Sequence, residues 1–265
     1  MLFRSGVVRV RERLEPGAPV VEVEVATFRA DLGYSDGRRP DAVRFTDAQA
    51  DVARRDFTLN GLLLDPLDCD AAGARILDYV GGLADLDAGV LRAIGDPAQR
   101  FGEDALRLLR AARFAARFGL RIEASTAAAI RRLASTLRRV SVERIALETM
   151  AMLTAPTAAS ALQLWAELEL APVLCPPLAA SDPELTAMAA AFQALDGQIA
   201  PATIEGGFEV DVQVSWPLAL ATLAWPVRHQ LSADDLALSW KLSRADAQVL
   251  QQTVRTAEEI GRAHV

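Results

Sequence analysis

The chain is nearly devoid of lysine, histidine and cysteine. Of its 28 cationic residues 27 are arginine, Lys241 being the exception, and it has two histidines and two cysteines in 265 residues. Cys69 and Cys175 are too few and too far apart for a disulfide framework or a zinc site. His229 and the terminal His264 cannot supply the several His and Asp ligands that a metal-dependent phosphohydrolase needs. There is no uncharged apolar run of about 18 residues, so no membrane span is expected. The N-terminal MLFRSGVVRV lacks the apolar core of a signal peptide. These absences leave a cytoplasmic, non-secreted chain as the expectation. Internal repeats of fixed period are also lacking.

What remains is 51% hydrophobic and 24% charged, enough for a sizeable core in two or three subdomains. The net charge of −7 argues against a polyanion partner only as an average. Between Arg100 and Arg144 eleven arginines face four acids (Glu103, Asp104, Glu123, Glu143), a local +7 that leaves −14 for the rest. Local charge decides where a polyanion binds. An arginine-rich solvated surface, from an arginine-rich proteome, is the competing explanation. Arg107, Arg110, Arg113 and Arg117 would fall within roughly 120° of one another on a helix, one row of planar guanidinium groups suited to phosphates or base edges.

The pattern divides the chain in two. VVEVEVATF (residues 20–28) alternates, with Val21, Val23 and Val25 on one face and Glu22 and Glu24 on the other, and reads as a half-buried strand. A turn-rich loop, Asp31–Asp41, follows. FTLNGLLL (57–64) is helix or strand, and Arg75–Tyr79 a short strand broken at Gly81-Gly82. From Gly102 the chain reads as helical. One helix is expected over Glu103–Phe118, with Glu103 and Asp104 in its first turn and Gly119 as its stop. Others are expected over Ser125–Leu137 with Ser125 or Thr126 as N-cap, from Ser141 to about Leu153, and over 157–170. The segment after Pro176 is Ala/Leu-rich, proline-divided and mainly helical. Leu2–Ser5 and Glu259–Val265 read as translated adapter DNA, so native sequence is expected from about Gly6 to Glu258.

Several motifs occur in order: EVATFR (Glu24–Arg29), DGRRPD (Asp36–Asp41), RRDFTLNG (Arg54–Gly61), DYVGGLADL (Asp78–Leu86), LRAIGDPAQRFGEDALRLLRAARFAARFGL (Leu91–Leu120) and SVERIALE (Ser141–Glu148). Over about residues 6–175 the chain resembles the bacterial class II RNA nucleotidyltransferases, the tRNA CCA-adding enzymes and related poly(A) polymerases. The resemblance implies an α+β chain: part of a nucleotidyltransferase head with an antiparallel sheet (6–92), an all-helical neck that binds nucleotide and RNA (93–155) and a helical body (156–258). It implies that Asp104 and Arg107 read the base edge. Arg55, Arg110 and Arg113 would bind the triphosphate or neighbouring groups, and Arg54 and Asp56 would organise that site through an ion pair. Asp78 and Gly81-Gly82 would shape a flexible connector between head and neck. RNA would run along Arg117, Arg131, Arg132, Arg138 and Arg139. The implied substrates are ATP and CTP, the partner a tRNA or other RNA 3′ end, and the cofactor Mg²⁺. The family's Gly-Gly-x-Val-Arg-Asp turn and metal-binding Asp-x-Asp pair precede the EVATFR strand, and neither is present. Glu24 is then a candidate third carboxylate near the metals, Glu22 sharing its face and an exposed sheet face being the alternative for both, and one carboxylate cannot replace a two-metal cage. The implied reading is a fragment of an RNA nucleotidyltransferase that is itself inactive. Poly(A) addition, partial CCA addition, and noncatalytic RNA binding are its rivals, and a purely helical structural protein is a further one. Oligomeric state is not legible.

Overall fold

The computed structural model describes residues 7–13, 20–33, 41–70, 73–174, 182–198, 202–204, 208–210, 214–225 and 232–263. Most of the expected Asp31–Asp41 loop, the extreme N-terminus, Cys175 and both histidines lie outside these residues. The N-terminal part is built from paired strands. β1 (Val7–Glu12) and β2 (Val21–Ala26) form an antiparallel ribbon, β3 (Arg29–Leu32) and β4 (Ala42–Phe45) a second. α1 (Ala48–Ala53) follows, then a 3-10 turn over Thr58–Gly61. β5 (Leu63–Asp70) and β6 (Gly73–Leu77) make a third ribbon, with a register shift between Asp65 and Cys69. The FTLNGLLL segment is therefore a 3-10 turn running into a strand.

The strand expected over 20–28 exists, but it is not half-buried. Val10 pairs with Val23 and Val8 with Val25, putting four valines on one face. Val23 is 52% and Val25 54% exposed. Nothing among the described residues packs on that face, so alternation here marks a strand without marking a core. The expected antiparallel sheet is present as separate two-stranded ribbons.

The helical part is the reverse. After α2 (Gly82–Asp87) and the short β7 (Val90–Leu91) come α3 (Pro97–Glu103), α4 (Leu106–Phe118), β8 (Arg121–Ile122), α5 (Ala124–Leu133), α6 (Val142–Leu153) and α7 (Ala158–Glu167). β7 and β8 pair in parallel. α8 (Ala171–Leu174), α9 (Asp182–Gln198), the strand pair β9 (Ala202–Ile204) and β10 (Phe208–Val210), α10 (Trp216–Ala224), α11 (Ala233–Ser239) and α12 (Arg244–Ala263) complete the chain. α4 packs against α6, α7 and β7. Its Leu108, Leu109, Ala111 and Ala112 are 0% exposed. One apolar cluster joins Phe57, Leu91, Phe101 and these α4 residues to Ile130, Leu153, Leu162 and Trp165. The ribbons hang from a core that belongs to the helices.

Two helix expectations need correction. The helix over Glu103–Phe118 is two helices. Asp96 caps α3 by accepting the Gln99 N–H at 2.7 Å, with Pro97 in the first turn. α3 then ends at Glu103, because Asp104 is extended (φ −150, ψ 106) and its Oδ1 accepts the Leu106 N–H. Glu103 and Asp104 thus leave the backbone in different directions and do not share a first turn. Gly119 does stop α4, in the left-handed region at φ 63. The N-cap of α5 is Glu123, not Ser125 or Thr126. Its carboxylate accepts the N–H groups of Ser125 and Thr126 at 2.9 and 2.8 Å, and both hydroxyls donate to it as well. Burial opposes the charge, but these donors outweigh it and hold the Glu123 carboxyl at about 2. α5 ends at Leu133 and passes into a 3-10 turn over Ala134–Arg139.

Candidate nucleotide-binding cleft

A cleft of about 480 Å³ opens where α1, the 3-10 turn, α4 and α6 meet. Arg54, Arg55, Asp56, Asn60, Asp104, Leu106, Arg107, Arg110, Phe114 and Arg144 line it. Six of the seven residues singled out for nucleotide binding are among them. The seventh, Arg113, lies behind the wall, donating from Nε to Glu148 at 2.6 Å and stacking on Phe114 at 4.4 Å. Five arginines against two aspartates give the lining an excess of positive charge suited to a polyphosphate.

The arginines are held by carboxylates that the sequence spacing does not reveal. Asp51, 3% exposed on α1, takes Arg54 at 2.6 Å and Arg55 at 3.1 Å, and also accepts the Arg29 backbone N–H. Burial opposes its charge, but these donors prevail and its pKa lies below the usual carboxylate range. Asp56 accepts Arg110 Nε at 2.7 Å, the Asn60 amide at 2.9 Å and its neighbour Phe57 N–H. Burial opposes the Asp56 charge too, and the Arg110 charge leads the effects that hold its pKa low. The ion pair expected between Arg54 and Asp56 is thus replaced by two others, Arg54 with Asp51 and Asp56 with Arg110. The second ties the 3-10 turn to α4 across the cleft.

Arg107 Nη1 donates to Glu103 at 2.7 Å and to the Arg100 carbonyl at 2.8 Å, and Nη2 to the Arg54 carbonyl at 3.2 Å. Among the described residues three of its five N–H groups are engaged, which leaves two to donate. Asp104 Oδ2 accepts Arg144 Nη2 at 2.7 Å. Asp104 and Arg107 line the same cleft, their side chains held by different partners, while the Arg107 backbone N–H donates to the Asp104 carbonyl at 3.1 Å. Glu148 on α6 collects Arg110 at 3.7 Å and Arg113 at 2.6 Å. Asn60, Asp51, Arg144 and Glu148 are among the polar site residues that sequence reasoning passed over. SVERIALE contains the last two, so the motif carried a signal whose target lay 30 to 40 residues away in sequence.

The other expected residues fall elsewhere. Glu24 sits on the exposed ribbon, bonded to Arg9 Nε at 2.9 Å, and does not line the cleft. Arg117 lies beside the Phe118 ring at 5.6 Å. Arg131 donates to the Glu167 carbonyl at 2.7 Å, and Arg132, Arg138 and Arg139 are exposed on α5 and the following turn. Asp78 is a cap. It accepts the N–H groups of Leu83, Gly82, Val80 and Gly81 within 3.1 Å, which lower its pKa. Gly82 is required there, since a Cβ would lie 2.4 Å from the Thr58 carbonyl oxygen. The connector expected to be flexible is a tightly bonded turn, with Asp85 accepting the Thr58 hydroxyl at 2.8 Å and Arg92 at 3.0 Å.

Residues 6–92 match the family model described as the poly A polymerase head domain, and residues 119–181 that described as the probable RNA and SrmB-binding site of polymerase A. Over these two segments the chain is similar to the poly(A) polymerases and CCA-adding nucleotidyltransferases. Among curated relatives it is 46% identical over 126 residues to the CCA-adding enzyme of Limosilactobacillus fermentum, covering 47% of this chain and 30% of that protein. It is 42% identical over 142 residues to that of Leuconostoc mesenteroides, covering 53% and 34%. The chain thus spans about a third of these nucleotidyltransferases. The solved Bacillus stearothermophilus CCA-adding enzyme in complex with CTP superposes with a TM-score of 0.75 at 27% identity, over 99% of this chain and 56% of that one. A tRNA nucleotidyltransferase complexed with a primer tRNA and an incoming ATP analog shares the fold at a TM-score of 0.67, 19% identity, 94% of this chain and 68% of that one. Among the described residues no helix is long and apolar enough to cross a membrane.

Proposed function

We propose that the cleft selects and holds an incoming CTP or ATP for template-independent addition to a tRNA 3′ end. The observation that carries this reading is the lining itself: Asp104 and Arg107 share one cleft with Arg54, Arg55 and Arg110. Cytosine and adenine both present an exocyclic amine beside an unprotonated ring nitrogen, while uracil and guanine present a carbonyl beside a ring N–H. The Asp104 carboxylate accepts from the amine, and a remaining Arg107 N–H donates to the ring nitrogen. That pair admits C and A and leaves G and U mispaired, without a nucleic-acid template. Arg54, Arg55 and Arg110 receive the triphosphate, and the carboxylates behind them keep the guanidinium groups in place. Arg117, Arg131, Arg132, Arg138 and Arg139 supply an RNA-facing surface whose phosphate contacts make binding salt-sensitive.

The nucleotidyl transfer itself calls for Mg²⁺ to align the 3′-hydroxyl with the α-phosphate. The residues present do not fit that role: the described part holds no group of three or more His, Cys, Asp or Glu side chains able to hold a metal. Glu24 and its neighbour Glu22 are engaged by Arg9 and Arg11. The 265-residue chain is therefore expected to bind nucleotide and RNA without efficient transfer, and a protein supplying the Asp-x-Asp pair to catalyse it. Incubation with labelled CTP and ATP and a tRNA lacking its 3′ end tests this. Robust incorporation by the 265-residue chain would overturn the second statement; absence of nucleotide binding would overturn the first. In a protein with the carboxylate pair, products from ATP alone against ATP plus CTP separate poly(A) from CCA addition.

A further inference from the structure

The geometry points to Phe118 as a stacking platform for an unpaired base at the RNA 3′ end, a subsite beside the cleft. This deepens the reading of RNA as the partner and rests on it. Three aromatic rings run outward from the core, the last two on α4. Phe57 is 0% exposed and meets Phe114 edge-on, with centroids 5.9 Å apart at 78°. Phe114 lines the cleft and lies parallel to Phe118, 6.1 Å apart at 9°. Phe118 ends the series and is 53% exposed. Stacked phenylalanines four residues apart are ordinary on a helix. This pair differs in its setting, because its inner ring is a wall of the nucleotide cleft and its outer ring faces water.

The charge around the rings matches one kind of occupant. The Arg110 and Arg113 guanidiniums stand 5.1 and 4.4 Å from the Phe114 ring, and Arg117 stands 5.6 Å from the Phe118 ring. No carboxylate within the described residues pairs with Arg117. A flat, half-exposed ring beside an exposed guanidinium is the arrangement that single-stranded nucleic acid uses: the base stacks, and the cation meets the flanking phosphate. Phe118 lies one helical turn from Phe114, about 6 Å along the axis. An RNA end seated there has its terminal ribose close to a nucleotide in the cleft, where the reaction would need its 3′-hydroxyl. The platform reads no base edge, so it accepts any base that the growing end presents.

The test is a cycle between protein and RNA, using the 265-residue chain and a short single-stranded RNA ending in CC. A second RNA carries an abasic ribose in place of its last nucleotide. Fluorescence anisotropy gives the Kd of each. Phe118→Ala should weaken binding of the base-bearing RNA by about fivefold or more, and the abasic RNA should weaken binding to the unaltered chain equally. Combining the two changes should cost nothing further, and Phe118→Trp should restore affinity. The Kd for ATP should stay unchanged in Phe118→Ala, and so should the salt dependence of RNA binding, whereas Arg117→Ala should lower that salt slope by about one. Equal loss from the abasic end in the unaltered and Phe118→Ala chains would overturn the platform while leaving RNA binding intact. Failure of the unaltered chain to bind either RNA would instead overturn the tRNA reading, and the platform with it.

Discussion

The β1–β2 ribbon and the α4 cleft use the same residues, arginine and carboxylate interleaved with aliphatic side chains, to opposite ends. On the ribbon Arg9 and Glu24 pair with side chains 61% and 59% exposed. Such pairs contribute little, since water screens them and two long side chains must be immobilised. At the cleft the Arg110–Asp56 pair has exposures of 31% and 9%. There each carboxylate accepts several donors, and the removal of one partner leaves a charge that water reaches poorly. The valines of the ribbon stand in solvent, while the leucines of α4 are sealed. Pattern alone therefore does not assign worth to a contact; what lies on the far side of the residue does.

That contrast can be broken experimentally, and the largest effect belongs to the core of α4. Leu109→Ala should cost about 3–5 kcal/mol of unfolding free energy, measured by urea titration, because its site is fully enclosed. Asp56→Asn should cost about 2–3 kcal/mol, less than a fully buried pair because a third of Arg110 meets water. It should also weaken ATP binding, seen calorimetrically, as Arg110 loses its anchor. A smaller effect is expected at acid pH. The folded Glu123 carboxyl sits at about 2 against an ordinary 4.5, so it contributes stability above pH 4.5 that is lost as pH falls towards 2. Glu123→Gln should flatten that part of the stability–pH curve; an unchanged slope would remove the cap from the account. The smallest effect belongs to the ribbon, where Val23→Thr should change stability by no more than about 0.5 kcal/mol. A loss near that of Leu109→Ala would show that the valine face is covered.

How much of this was legible in the sequence follows the same division. The Gly119 stop located the end of α4, because a left-handed cap is local physics. The ordered motifs located the cleft, and six of seven named residues line it. The partners were not legible. Nothing in RRDFTLNG says that Asp56 meets Arg110, 54 residues on, or that a carboxylate on the preceding helix holds Arg54. Glu103 and Asp104 were read as one helical turn because two adjacent acids suit a helix N-terminus. The extended backbone at Asp104 separates them, and that break aims Asp104 into the cleft. Serine and threonine at 125–126 looked like the cap, and the nearby Glu123 took the role because its longer carboxylate reaches both backbone amides and both hydroxyls.

The most direct measurement is calorimetric binding of the four nucleoside triphosphates to the 265-residue chain and to its Asp104→Asn and Arg107→Ala variants. CTP and ATP are expected to bind at least about tenfold more tightly than UTP and GTP, the scale of one good bidentate base contact. Both variants should lose that preference while keeping part of the phosphate-driven affinity. Equal affinity for all four nucleotides, or a preference for CTP and ATP that survives both substitutions, would contradict it.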